Sequence, residues 1–326
     1  MQWEVLVERP SSVTRRSGRF LVAEFRVPHL VLSTSVRNGG ASEHVRYLLN
    51  HQSCEGSAHL DRHRVIHDHG VEGYHDVVCQ EAGLPSDVTA MMGTAANMNY
   101  AAIVSLVDRE VEVTAVVTAG VEGNATCAGD PANWRQTEAG NEKVLYEGTI
   151  NTMVLINAPV EPPVLARAVV TMTEGKSAAL QRLSVPSRQS NDPATGTGTD
   201  QYCIAAALTG GTTYTSASPH MKLGELIGAA TRDATLEALR WQNGLEASYT
   251  RGVFHALGRF GLKEATFLED IAARLTEDDL ELLRRNSKAA MYEPLAGAAA
   301  HAFAAVFDRI RWGVLPAAVS GEALVQ

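Results

Sequence analysis

Apolar and polar positions along this chain follow two rhythms. Short β-branched runs bounded by Gly, Pro or Asn predict strands at residues 5–7, 20–25, 30–36, 88–92, 113–118, 149–157 and 202–208. Apolar residues at helical spacing predict helices at 43–50, 61–82, 98–108, 163–182 and 224–241. The helix at 163 opens with Pro and places Leu165, Ala168, Val169 and Met172 on one face. Strands separated by helices imply an α/β class, a mixed α+β sheet domain. From residue 241 onward only helical periods remain, at 245–260, 265–275, 277–285 and 295–310. Thr276 and the pair Glu293-Pro294 mark helix starts there. The chain therefore divides into a sheet domain, residues 1–240, and a C-terminal helical extension, residues 241–326.

Composition narrows the partners. The 326 residues carry a formal net charge of −9, with 45% hydrophobic and 20% charged residues. That balance excludes a disordered chain and argues against broad binding to nucleic acid or an anionic membrane. The start lacks an apolar leader core, and no run approaches the ~20 apolar residues of a spanning helix, so a cytoplasmic protein is expected. Cys54, Cys79, Cys127 and Cys203 are scattered, which predicts buried or free thiols. The Ala-rich C-terminal helices, with apolar Leu295, Phe303, Val306 and Ile310, are expected to pack on the sheet domain or on another subunit, the second giving a homodimer.

Five segments carry candidate chemistry. Two polar, Gly-rich loops, 120–147 and 186–200, are long enough to be functional. The second ends in Ala194-Thr195-Gly196-Thr197-Gly198-Thr199-Asp200 before a strand. Such a run forms either a nest of N–H groups for an oxyanion, with Asp200 as base or acceptor, or a tight turn. It is not a Walker loop, since no Gly-Lys-Ser/Thr follows. Glu147-Gly148-Thr149-Ile150-Asn151 places Thr149 and Asn151 on one face at a strand start, as ligand contacts or as an edge strand. The same pair Gly148-Thr149 also admits self-cleavage that exposes a Thr nucleophile. Thr173-Glu174-Gly175-Lys176-Ser177 is a solvated helix face, but Gly175 costs about 1 kcal/mol there and suggests a close approach. His51, His59, His63, His67, His69 and His75 form a cluster in sequence. His59, His63 and His67 have helical spacing for a divalent metal, although solvent-facing histidines explain them as well, and no metal is assigned. Finally, His220 and Lys222 stand at a helix entrance, as acid or base and anion contact, or as an ordinary polar loop.

Seven segments in order resemble the adenosylcobinamide amidohydrolases of corrinoid salvage. They are 32–40 (LSTSVRNGG), 93–98 (GTAANM), 117–120 with Asn124, 148–151 (GTIN), 174–181 (EGKSAALQ), 194–200 (ATGTGTD) and 220–224 (HMKLG). The resemblance covers about two thirds of the chain. It departs at Gly175, where the family commonly has Ala, and it leaves the His-rich segment and the C-terminal helices unmatched. It implies hydrolysis of the amide joining a corrin propionyl group to aminopropanol, giving adenosylcobyric acid, on a small-molecule corrinoid and with no cofactor.

Amide cleavage needs a nucleophile, oxyanion stabilisation and protonation of the leaving amine. On that basis Asp200 or Glu174 is expected as base through water, and His220 as acid. Thr195, Thr197 and Thr199 are expected at the oxyanion or substrate amides. Lys176 and Thr149 are expected at the substrate, and Lys222 would orient Glu174 or a corrin side chain. Asn38, Asn97, Asn124 and Asn151 would hydrogen-bond corrin amides. Two other readings stand beside this one: a metal-dependent hydrolase on the histidines, and a non-catalytic corrinoid-binding protein.

Overall fold

Alternating side chains on central strands decide which layer meets which. In chain order the computed structural model has β1 (Glu4–Glu8), β2 (Ser12–Ser17), β3 (Phe20–Phe25), β4 (His29–Ser33), β5 (Gly40–Ser42) and β6 (Tyr47–Gln52). Then come α1 (His59–Ala82), β7 (Thr89–Thr94), β8 (Ala102–Asp108), β9 (Val111–Ala119), β10 (Ala125–Thr126), β11 (Trp134–Thr137) and β12 (Gly140–Lys143). The sheet region closes with β13 (Ile150–Ile156), α2 (Pro162–Arg182), β14 (Gly196–Thr197), β15 (Gln201–Ala207) and α3 (Lys222–Asn243). The helices α4 (Ala247–Thr250), α5 (Val253–Leu257), α6 (Glu264–Ala272), α7 (Glu277–Met291), α8 (Pro294–Arg311) and α9 (Ala317–Val325) follow. The structure describes residues 1–53, 59–132, 134–137, 140–143 and 149–325, without the side chains of 59–63, 134–137, 140–143, 319, 323 and 325.

One sheet has the order β1-β2-β3-β6-β7 and the other β5-β4-β15-β13-β9-β8. In β13 the even residues Ile150, Val154 and Ile156 pack against α2 and α3, beside Leu180 and Ile227. The odd residues Met153 and Leu155 pack against Leu21, Leu48 and Met92 of the first sheet. In β3 the odd residues face the second sheet, while Phe20 and Val22 meet Tyr74 and Val78 of α1. The result is four layers, α1, sheet, sheet, then α2 with α3. Strands buried on both faces read as continuous apolar runs, which is why β13 and β15 are legible in the sequence.

Two expected helices are strands. Residues 47–52 form β6, antiparallel to β3 and parallel to β7. Residues 98–100 make one tight turn, and 102–108 form the edge strand β8 on β9. Short apolar runs fit either period, and neighbouring strands supply the hydrogen bonds that settle the choice. The loop 120–147 contains β10, β11 and β12. Helix α3 runs past position 241 to Asn243, where Gly244 adopts a left-handed φ of 63° that ends it. Gly175 does mark a close approach, since a Cβ there would lie 2.5 Å from the Gly228 carbonyl oxygen of α3. Among the described residues, no helix is long and apolar enough to cross a membrane.

Burial of titratable groups yields two checks. His29 is 1% exposed, stacks on Phe25, and places Nδ1 2.8 Å from the Val27 carbonyl oxygen. Burial pushes its pKa down to about 4. The unfolded chain then binds the extra proton between about pH 6.5 and 4, so stability falls as pH drops through that window. The loss from this group is about 2 kcal/mol at pH 5 relative to pH 7. Urea midpoints at pH 7 and 5 should show a smaller difference for His29→Phe than for the wild type. Burial also pushes the thiols of Cys79 and Cys203 up, to about 11 and about 12. Neither should be alkylated in the native protein at pH 8, as read by peptide mass, whereas both should react in urea.

Candidate functional site

The inter-sheet core changes character at one end. Beyond Met153, the next side chain on that face of β13 is Asn151, fully buried. Its Nδ2 donates to Asn50 Oδ1 at 2.9 Å and to the Gly93 carbonyl at 3.0 Å. Asn50 in turn donates to Thr118 Oγ1 at 2.8 Å. Gln201 Oε1, on β15, accepts from the Gly93 amide of β7 at 2.9 Å, which ties the two sheets together. This polar ladder borders a cavity of about 360 Å³. Ser35, Tyr74, His75, Thr94, Thr149 and Thr199 line it, with α1 along one wall. Sequence reading did not single out Tyr74 or Gln201, because a Tyr in a helix and a Gln in a strand carry no local signal.

Beside the cavity the Gly/Thr run is folded around Asp200. Its Oδ1 accepts from the Ile150 amide at 3.0 Å and from Thr197 Oγ1 at 2.5 Å. Its Oδ2 accepts from the Thr197 amide at 3.2 Å and pairs with Lys176. The two side chains are 14% and 19% exposed. Gly196 packs directly on this pair, and a Cβ there would stand 2.5 Å from Asp200 Oδ2 and 2.7 Å from Lys176 Nζ, so the pair would have to shift. Asp200 thus holds the loop onto β13 and α2. With four donors on two oxygens, its geometry is that of an anchor and not of a free base.

The remaining loop residues are also committed. Thr195 Oγ1 accepts from the Ala128 amide at 2.9 Å, and its carbonyl accepts from Ser177 Oγ at 3.0 Å. Asn124 donates from Nδ2 to Thr199 Oγ1 at 3.3 Å, and its carbonyl accepts from the Gly198 amide. Asp130 clamps both Gly-rich loops, accepting from Thr126 Oγ1, the Cys127 amide and Ser187 Oγ. Partial burial pushes the Asp130 carboxyl up, but these donors with Ser190 more than offset it, and its pKa is lowered. Thr149 is 5% exposed and donates to the Thr199 carbonyl at 2.6 Å. Of the residues expected to contact substrate, Thr149 and Thr199 are the ones that line the cavity.

Other expected site residues are not brought there. Glu174 is exposed, and none of the bonds around Asp200 involves it. It lies two residues from Lys176 on α2, about 200° around the helix, so only one of them faces the loop. His220 and Lys222 sit at the far end of the sheet. Lys222 is exposed, pairs with Glu225 at 2.7 Å, and borders a hollow with Asp108 and Glu110 of the β8–β9 turn. The near end of β15 is Gln201, so its length of seven residues puts them about 20 Å away. Asn38 has a left-handed φ of 56°, and its Nδ2 holds the carbonyls of Ser86 and Thr89. Asn97 caps the turn at 98–100. Both are turn-forming asparagines.

For the histidines, His67 is exposed beside Asp68, and His51 is buried with Nε2 2.9 Å from Tyr74 Oη. The side chains of His59 and His63 lie outside the described residues, as do Cys54 and Gly148. Among the described residues, no group of three or more His, Cys, Asp or Glu is placed to hold a metal ion.

Comparison with known proteins adds the following. A family model described as adenosylcobinamide amidohydrolase matches residues 4–247. An uncharacterized protein of Methanocaldococcus jannaschii is 31% identical over 229 residues, covering 67% of this chain and 85% of that protein. A solved Pyrococcus horikoshii protein is 12% identical with a TM-score of 0.35, over 73% of this chain and 82% of its own. The L-aminopeptidase D-Ala-esterase/amidase of Ochrobactrum anthropi is 12% identical with a TM-score of 0.33, at the same coverage.

Proposed function

Because this chain belongs to the adenosylcobinamide amidohydrolase family, we propose that it hydrolyses the amide between a corrin propionyl group and aminopropanol, releasing adenosylcobyric acid. The family match over residues 4–247 carries this reading, since it spans both sheets, α1, α2, α3 and the cavity. The site's chemistry is compatible. A rim of hydroxyl and amide groups from Ser35, Thr94, Thr149, Thr199 and Gln201 suits a substrate whose periphery is neutral amides. The apolar wall from α1, including Ile66 and Val71, suits the flat face of a macrocycle. We place the scissile amide beside Thr149 and Thr199.

Product analysis tests it. Purified protein incubated with adenosylcobinamide should release aminopropanol and adenosylcobyric acid in equal amounts. A shift of the corrinoid's visible spectrum on binding, without product, would assign the protein to corrinoid binding and overturn hydrolysis. Folded protein that neither binds nor converts the compound would overturn the substrate assignment.

A further inference from the structure

Among the described residues, the cavity presents a threonine hydroxyl whose hydrogen bond goes to a carbonyl and not to a base. Thr149 Oγ1 donates to a backbone carbonyl, the Thr199 oxygen at 2.6 Å. Asp200, whose Oδ1 accepts from the next amide, is filled by Ile150, Thr197 and Lys176, and Lys176 is held by it in turn. His75, also on the cavity wall, directs Nε2 at the Ser86 carbonyl 3.2 Å away. A threonine hydroxyl attacks an amide only when something removes its proton.

The backbone at Thr149 is held on its carboxyl side. Its carbonyl accepts from the Gly120 amide at 3.0 Å, and the next amide, Ile150, donates to Asp200. The residue before it in sequence is a glycine. An α-amine is unlike the committed side chains of this site, because it titrates near pH ~8 and is partly free base at neutral pH.

We propose that Thr149 is the nucleophile of this site and acts as a chain-terminal residue. The folded protein hydrolyses the peptide bond on the amino side of Thr149, and the freed α-amine is the general base. In the maturation step Oγ1 attacks the Gly148 carbonyl carbon. A water molecule takes the hydroxyl proton and passes it to the nitrogen as the C–N bond breaks, and an ester forms. Water hydrolyses that ester, leaving a carboxylate on Gly148 and a free amine and hydroxyl on Thr149. In turnover the amine takes the hydroxyl proton as Oγ1 attacks the substrate carbonyl. It then gives that proton to the departing amine, and water hydrolyses the acyl ester. The turnover step rests on the amide-hydrolase reading above. The maturation step does not, and needs only water.

Intact mass and N-terminal sequencing of purified full-length protein separate the two. Two chains are expected, residues 1–148 and 149–326, the second starting Thr-Ile-Asn-Thr. Thr149→Ala should stay one chain, keep the wild-type circular dichroism, and lose at least about 1000-fold in turnover. Thr149→Ser should still be cut, which keeps the test intact where the alanine variant fails to fold. Brief acid quenching during turnover should leave the substrate acyl mass on the 149–326 chain. Wild-type protein that stays a single chain overturns the proposal, as does cutting of Thr149→Ala at the same bond. Cut protein that leaves adenosylcobinamide untouched keeps the maturation step and removes only the substrate assignment.

Discussion

Asp200→Ala is expected to lower stability by about 3–4 kcal/mol and turnover by at least about 100-fold. The carboxylate is the point where three elements meet. It accepts from the Ile150 amide at the start of β13, from the Thr197 amide and hydroxyl in the Gly/Thr run, and from Lys176 of α2. Alanine leaves the Ile150 and Thr197 donors unpaired and a half-buried ammonium without its counter-charge. Gly196 packs directly on the pair, so the loop backbone borders the space that the carboxylate leaves. The loop carries Thr199, whose carbonyl holds the Thr149 hydroxyl, and a shift there misplaces both cavity threonines. Urea denaturation and kcat/KM on adenosylcobinamide check the two effects. Asp200→Asn together with Lys176→Met should recover more than half of the lost stability, because the orphaned charge is gone. If Asp200→Ala melts like the wild type, the anchor role assigned to this carboxylate is wrong.

Arg259→Ala is expected to cost about 3–5 kcal/mol and to loosen the C-terminal helices from the sheet region. Arg259 pairs with both oxygens of Asp308 on α8, and the two side chains are 9% and 6% exposed. Removing the guanidinium leaves the buried carboxylate with only the weaker contact to Arg311, 3.4 Å from its Oδ1. The same guanidinium donates to the Asn191 carbonyl, and Asp192 accepts from Arg311 and from Trp312 Nε1 at 3.1 Å. His255 on α5 reaches the Leu183 carbonyl at 2.6 Å. These bonds fasten the helical extension to the segment 183–192, which leads into the Gly/Thr run. Denaturant unfolding measures the first effect, and limited proteolysis after residue 250 the second. Arg259→Met with Asp308→Leu should restore proteolytic resistance, since it removes both charges and keeps the volume.

Much of the fold is legible because burial on both faces leaves a mark that one residue in two cannot hide. The strands β3, β13 and β15 and the helices α2 and α3 follow from their apolar runs. The strands β6 and β8 do not, because Tyr47–Gln52 and Ala102–Asp108 are short and fit a helical period too. Their hydrogen bonds come from β3, β7 and β9, which are distant in sequence or lie beyond a turn. At the site, the Gly/Thr run and Thr149 stood out for good reason, since closely spaced glycines and hydroxyls fold only where backbone and side chains meet tightly. Their division of labour did not. Asp200 anchors, Thr195 and Asn124 brace loops, and Glu174 faces away.

The chain's own order of residues determined its family, its mixed α/β class, the helical character of its last quarter and the polar runs from which the site is built. Those depend on local periodicity and on residues adjacent in the chain. Which polar residues share a cavity was decided only by the tertiary structure. The direction of β15 carries the chain about 20 Å from Asp200 before it reaches His220 and Lys222, while the stacking of two sheets brings Asn50 and Gly93 to Asn151, and α1 brings Tyr74 to the cavity that Thr149 lines. Strand direction and sheet stacking arise from contacts between distant segments, which local patterns do not encode.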